Sequence, residues 1–347
     1  MAAPGKCPVK RRLAAIVAAH VLLLSQGLLS LAAYAQQQAD KLARVGVLTN
    51  APLTPEHPYE ALRQALRDLG YVEGKNITFV PKSAQGNVDL FPELARELAG
   101  ANVNVMVVAG DQGLRAAKEA TTTIPIVALL CDMPDHLMAS IARPGGKATA
   151  VTCMSTDLAA KRVQLLKELV PALVNIAALY NPGDLRAVSE YKQVQEAANN
   201  LDLQLSAYEA RSGTEIEKTF ALIAGNHPQA LVIFGDVLMN VHLKTLADLT
   251  LRNRLPAIYP FREFVDMGGL ISYGASLNGQ WRRAAPYVDK ILKGADPGEL
   301  PIDQPTRFEL VINLSTAKML GIEVPATLLI SADELIEKNA PAASWTR

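Results

Sequence analysis

From residue 44 to residue 259 the sequence alternates short apolar, β-branched runs with stretches whose apolar residues recur at helical spacing. Residues 44–48, 76–80, 103–109, 124–130 and 149–153 read as strands. The helices between them carry Leu62, Leu66 and Leu69, then Leu90, Leu94 and Leu98, on single faces and stop at Gly70 and Gly100. The run 103–109 is almost wholly apolar, as a parallel strand covered on both faces must be. After a helix near 158–169, which Ser155 or Thr156 is placed to cap, the order starts again. Strands are expected at 176–180, 204–207, 230–234 and 257–259, with helices near 188–200, 215–224 and 243–253. Only the order of elements recurs, with no residue-level repeat. This pattern predicts an α/β protein of two doubly wound, Rossmann-like lobes, followed by a less regular end.

The first 35 residues stand apart from this pattern. Lys6, Lys10, Arg11 and Arg12 precede the apolar run 13–31, and Ala33-Tyr34-Ala35 presents small residues where a signal peptidase cuts, before Gln36. Residues 1–35 are expected to be a secretory signal peptide. No cysteine follows the cut for a lipid anchor, and no later apolar run approaches the roughly 20 residues that span a bilayer. A periplasmic protein is expected. Lys plus Arg and Asp plus Glu are both 34 among the 347 residues, and aromatics are 5%. Loss of the basic leader makes the mature chain mildly acidic. Neither a counterion-release term nor a stacking platform favours nucleic acid as a partner.

Several chemistries are absent. The turn after the first strand reads Asn50-Ala51-Pro52-Leu53-Thr54-Pro55, without the glycines a dinucleotide pyrophosphate needs. There is no P-loop and no G-x-S-x-G elbow. His57, His136, His227 and His242 are dispersed, without metal spacing. No cofactor, no metal and no catalytic residues are expected. The strand-end loops carry the candidates instead: Asn50, Gly110-Asp111-Gln112, Asp132, Asn181, Asp236, and Tyr273-Gly274 near a return crossing. Small residues there admit a ligand to backbone N–H groups. Asp132 and Asp236 suit either an ammonium or hydroxyl ligand or the capping of helices. Tyr180, Tyr259, Phe261 and Tyr273 suit either stacking on a ligand or core packing. Cys131 and Cys153 end successive strands and are either paired or two free thiols. Arg143-Pro144-Gly145-Gly146 reads as a structural turn.

Over nearly its whole mature length the chain resembles the ABC-transporter substrate-binding proteins related to the tryptophan/tyrosine-binding group. The segments that carry the resemblance are Leu69-Gly70-Tyr71-Val72-Glu73-Gly74-Lys75-Asn76-Ile77, Thr123-Ile124-Pro125-Ile126-Val127, Ala142-Arg143-Pro144-Gly145-Gly146 and Leu166-Lys167-Glu168-Leu169-Val170-Pro171. They continue in Ile258-Tyr259-Pro260-Phe261-Arg262-Glu263-Phe264, Gly268-Gly269-Leu270-Ile271-Ser272-Tyr273-Gly274 and Phe308-Glu309-Leu310-Val311-Ile312-Asn313-Leu314. The resemblance implies a type I periplasmic-binding fold with three crossing strands as a hinge. Lobe one would comprise 42–155 plus 274–302, and lobe two 156–273 plus 303–337. It also implies capture of a small solute between the lobes, delivery to a membrane permease driven by an ATPase, and no catalysis; a monomer is expected. Two loops depart from the family pattern: Gly110-Asp111-Gln112 replaces a Gly-Thr-Pro-like loop, and Asp132-Met133-Pro134-Asp135-His136 replaces Asp-Pro-Val and small residues. The resemblance implies a small-molecule ligand such as an amino acid or an aromatic or carboxylate compound; the extra acids of these two loops leave a different small solute open. An exported sensor subunit would share the same cleft and is the alternative role.

Overall fold

The computed structural model describes residues 42–55, 57–133 and 137–337. The expected signal peptide and His136 lie outside the described residues. The first half forms β1 (Ala43–Thr49), α1 (Tyr59–Asp68), β2 (Ile77–Ser83), α2 (Phe91–Gly100), β3 (Val105–Ala109), α3 (Gly110–Ala120), β4 (Ile126–Leu130) and β5 (Ala148–Thr152). These five strands make one parallel sheet in the order β2-β1-β3-β4-β5. Strand β4 is buried along its whole length, because helices cover both faces.

The chain then crosses to a second sheet. Helix α4 (Ala159–Leu169) leads to β6 (Asn175–Tyr180), α5 (Leu185–Asn200), β7 (Gln204–Glu209), α6 (Gly213–Asn226), β8 (Ala230–Ile233), α7 (Val237–Val241), α8 (Leu243–Arg252), β9 (Ala257–Tyr259), α9 (Arg262–Asp266) and β10 (Ile271–Gly274). Helix α10 (Leu277–Leu292) returns to the first sheet, where Trp281, Ala284, Ala285 and Val288 pack with Leu62, Val107 and Val127. The chain crosses back to β11 (Glu309–Asn313), α11 (Leu314–Leu320), α12 (Ala326–Ser331) and β12 (Glu334–Ile336). The second sheet runs β12-β11-β10-β9-β8-β6-β7, parallel except for the antiparallel β10–β11 pair. Two doubly wound α/β lobes are thus linked by three crossings, with separate buried cores in each.

The crossings are tied by side chains. Arg162 and Glu190, both fully buried, form an ion pair at 2.6 Å. The same guanidinium donates from Nη2 to Ser155 O and Oγ in the first crossing, both 2.9 Å, and from Nε to Tyr273 O beside the second, 3.0 Å. Ser155 therefore receives Arg162 instead of capping a helix with its side chain; a 3₁₀ turn at Thr156–Leu158 precedes α4. In the third crossing Asp303 bonds the end of β5 through Thr152 N→Asp303 O, 2.8 Å. Arg283 clamps this join, donating to Asp303 Oδ2 at 2.5 Å and to Thr152 O at 2.7 Å. Among the described residues, no helix is long and apolar enough to cross a membrane.

Candidate functional site

The carboxyl edges of the two sheets meet at a seam. On lobe one, β1 delivers Asn50, whose backbone O accepts from Gly86 N at 2.9 Å while its buried Oδ1 has no partner. Gly110 opens α3 at φ +79°, a left-handed conformation that glycine takes without a Cβ penalty. A Cβ there would lie 3.4 Å from Val237 of lobe two, and one on Gly86 would lie 3.8 Å from Val241. The loops after β2 and β3 therefore rest on α7. Asp111 is half-buried in the first turn of α3, and Gln112 is exposed.

Asp132, after β4, accepts from Thr156 N at 3.2 Å and Thr156 Oγ1 at 2.8 Å. It also sits 3.8 Å from Arg186 of α5. Arg186 faces three carboxylates: Asp132, Asp184 at 3.0 Å and Glu190 at 3.4 Å, and it donates to Gly235 O as well. Burial pushes Asp132 up to about 6, against the pull of Arg186. Asn181 Oδ1 accepts from Gly183 N at 2.9 Å, an Asx turn into Asp184, which caps α5 by accepting from Arg186 N.

Asp236 is buried at the head of α7. Its Oδ1 accepts from Met239 N at 2.7 Å, and its Oδ2 has no partner. One oxygen caps the helix and the other is left over, so the two readings of this acid are not exclusive. Burial pushes Asp236 up to about 6.

The aromatic candidates pack within lobe two. Tyr259 is fully buried in the core of lobe two, stacked on Phe264 at 4.8 Å, with its hydroxyl 2.8 Å from Thr250 Oγ1. It has no free surface for a ligand, because its strand position points it into the sheet-helix interface. Phe261 is buried in the same core. Tyr180 stacks on Tyr191 at 5.2 Å, and Tyr273 packs near Phe308 at 6.3 Å. Gly274 serves packing: a Cβ there would lie 1.9 Å from Pro260 O. Cys131 and Cys153 are free, with Cys153 Sγ 3.6 Å from Cys131 O.

Three seam residues escaped the sequence reading. Asn240, one turn after Asp236 on α7, has a buried Oδ1 without a partner. Glu263 on α9 accepts from Asn278 N of α10 at 3.4 Å, leaving Oε2 buried and unpartnered, and burial pushes it up to about 7. Arg186 is the third. An arginine ringed by acids was the readable signal: Asp184 and Glu190 flank it in sequence.

These acids set a pH dependence. A raised folded value contributes stability that is complete below the unfolded value and lost as pH rises through the folded one. Asp132 and Asp236 have folded values near 6 against 3.8, and Glu263 about 7 against 4.5. Buried His57, held at about 4 against 6.5 by burial, acts oppositely and loses its contribution as pH falls from 6.5 toward 4. His242, also lowered by burial, acts in the same direction as His57, and the three acids outweigh the two histidines between pH 7.5 and 5.5. The melting temperature of the unliganded protein should therefore rise on acidification through that interval, and rise less in Asp236→Asn. A flat or falling curve contradicts this electrostatic account.

Known proteins share this architecture. The family model for ABC transporter substrate binding protein matches residues 55–336. A tyrosine-binding protein of Clostridioides difficile is 22% identical over 287 residues, covering 81% of each chain. Among solved structures, a conserved domain protein of Vibrio cholerae O1 biovar El Tor is 28% identical with a TM-score of 0.78, covering 85% of this chain and all of that one (100%). The ABC domain from Streptococcus pneumoniae in complex with L-Trp is 21% identical, also with a TM-score of 0.78, over 85% and 100% of the two chains. With two α/β lobes meeting at their strand ends and a family match over most of its length, the chain belongs to the ABC transporter substrate binding protein family, a family of solute-binding proteins and not of enzymes.

Proposed function

We propose that this chain is the periplasmic capture subunit of an ABC importer, holding a small solute between its lobes and handing it to a membrane permease. The supporting observation is the seam itself. Asn50 from one lobe and Asp236, Asn240 and Glu263 from the other each leave a buried oxygen without a hydrogen-bond partner. A buried acceptor left unpaired is costly, and a solute that supplies donors removes that cost.

Closure then follows from differential affinity. A solute seated on one lobe gains contacts to the other only when the seam forms, and that difference shifts the population. Turning a mostly open ensemble into a mostly closed one takes about 5.5 kcal/mol. A few charge-assisted hydrogen bonds at about 1.5–3 kcal/mol each suffice. The ligand-contacting residues on this reading are Asn50, Gly110, Asp111, Gln112, Asp132, Asn181 and Asp236, joined by Asn240 and Glu263. The crossing residues Tyr273 and Gly274 act through the hinge.

The test is recovery of a solute. Protein purified from an exporting host should release one stoichiometric small molecule, chemically unchanged after prolonged incubation. Release of a converted product, or of nothing with the intact protein refusing every compound offered, rejects capture.

A further inference from the structure

Resting on the capture reading, we infer that the solute is an organic cation, a protonated amine without a carboxylate of its own, whose ammonium is received by the unpartnered Oδ2 of Asp236. The charges around the seam carry this. Asp132, Asp184 and Glu190 all lie within 4 Å of Arg186, and Arg162 is committed to Glu190, Ser155 and Tyr273. Asp236 adds a fourth carboxylate to these two guanidiniums. It sits close enough to feel Asp184 and Arg186, yet neither provides it a hydrogen bond. Among the described residues this cluster therefore holds two more carboxylates than guanidiniums, an imbalance that a cationic solute neutralises and an anionic one worsens.

Among the described residues, a solute carboxylate finds no equivalent reception. Arg186 is already faced by three carboxylates and donates to Gly235 O. Glu263 offers a further unpartnered carboxylate oxygen at the end of β9, the strand next to β8 and Asp236. Asn50 and Asn240 present their free amide oxygens to the same seam. Among the described residues, the unpartnered buried oxygens of Asn50, Asp236 and Asn240 are acceptors, and an ammonium with neighbouring hydroxyl or amide N–H groups is their complement.

The experiment is a binding series on the mature chain. The probes are tyramine, tryptamine and putrescine, set against 4-hydroxyphenylacetate, indole-3-acetate and succinate, which share their skeletons, and against L-tyrosine and L-tryptophan. Thermal shift ranks them and calorimetry measures the affinities. At least one amine should bind more tightly than its matched carboxylate and its matched amino acid. Asp236→Asn should weaken that amine by about 10- to 100-fold, while the asparagine still caps α7 and keeps the fold. Tighter binding of a carboxylate or an amino acid, an unchanged amine affinity in Asp236→Asn, or no shift with any amine overturns the cation assignment. The solute released from the exported protein separates the two readings. A released acid or zwitterion rejects the cation and leaves capture standing; absence of any released solute counts against capture itself.

Discussion

Replacing Arg162 with Met is expected to destabilise the protein by roughly 3–5 kcal/mol, the cost of breaking a buried pair from one side. The methionine fills the volume but supplies none of four donated bonds, to Glu190 Oε1, Ser155 O, Ser155 Oγ and Tyr273 O. Glu190 keeps only Arg186 at 3.4 Å. The larger consequence is mechanical. Among the described residues, Arg162 is the one side chain that holds Ser155 of the first crossing to Tyr273 of the second, and through Glu190 and Arg186 that join reaches Asp132 on the other lobe. Urea denaturation should show the loss of stability, and hydrogen exchange should show faster opening of the crossings in the folded protein. Arg162→Lys should recover part of the stability, because it keeps the charge but not the planar fork. A loss under about 1 kcal/mol for Arg162→Met would show the pair to be peripheral to the hinge.

Gly274→Ala is the second large effect. The added methyl would stand 1.9 Å from Pro260 O and 3.1 Å from the carbonyl carbon, against backbone that no side-chain rotation can move. Strands β9 and β10 must part at the point where the chain leaves for lobe one. Overpacking of this kind costs about 1–3 kcal/mol or more, and here it also shifts the second crossing. Melting temperature and solute affinity should fall together. An alanine variant with wild-type melting and affinity would mean that β10 is free to move and that the crossing is not held by Pro260.

Much of this arrangement was written in the residue pattern. Parallel strands covered on both faces must be apolar throughout, so Val105–Ala109 and Ala257–Tyr259 announced themselves. Glycines at Gly70 and Gly100 marked helix ends because the next residues leave helical geometry. The five-residue helices α7 and α9 were not legible, since one turn and a half carries no measurable periodicity. Strand β12 was missed because it is a largely exposed edge without an apolar run.

The site was harder than the fold. Strand-end position drew attention to Asp236 and Asn50, whose buried oxygens lack partners, but Tyr259 has the same address and points into the core. Sequence gives the strand end, while the side chain's direction depends on parity and neighbouring helices. Arg162 was readable in hindsight. It sits on the buried stripe Ala159, Arg162, Leu166 and Leu169 of α4, and an arginine within an apolar stripe requires a buried anion. Its partner Glu190 lies 28 residues away, a pairing only the folded chain supplies.

The claim on which the rest depends is that the two lobes close on a solute they do not change. Small-angle scattering of the protein, stripped of solute and then given back the compound it released, tests it most directly. The account predicts a smaller radius of gyration at saturation and a return to the larger value when the compound is dialysed away. The same radius in both states, with the compound demonstrably bound, would contradict it.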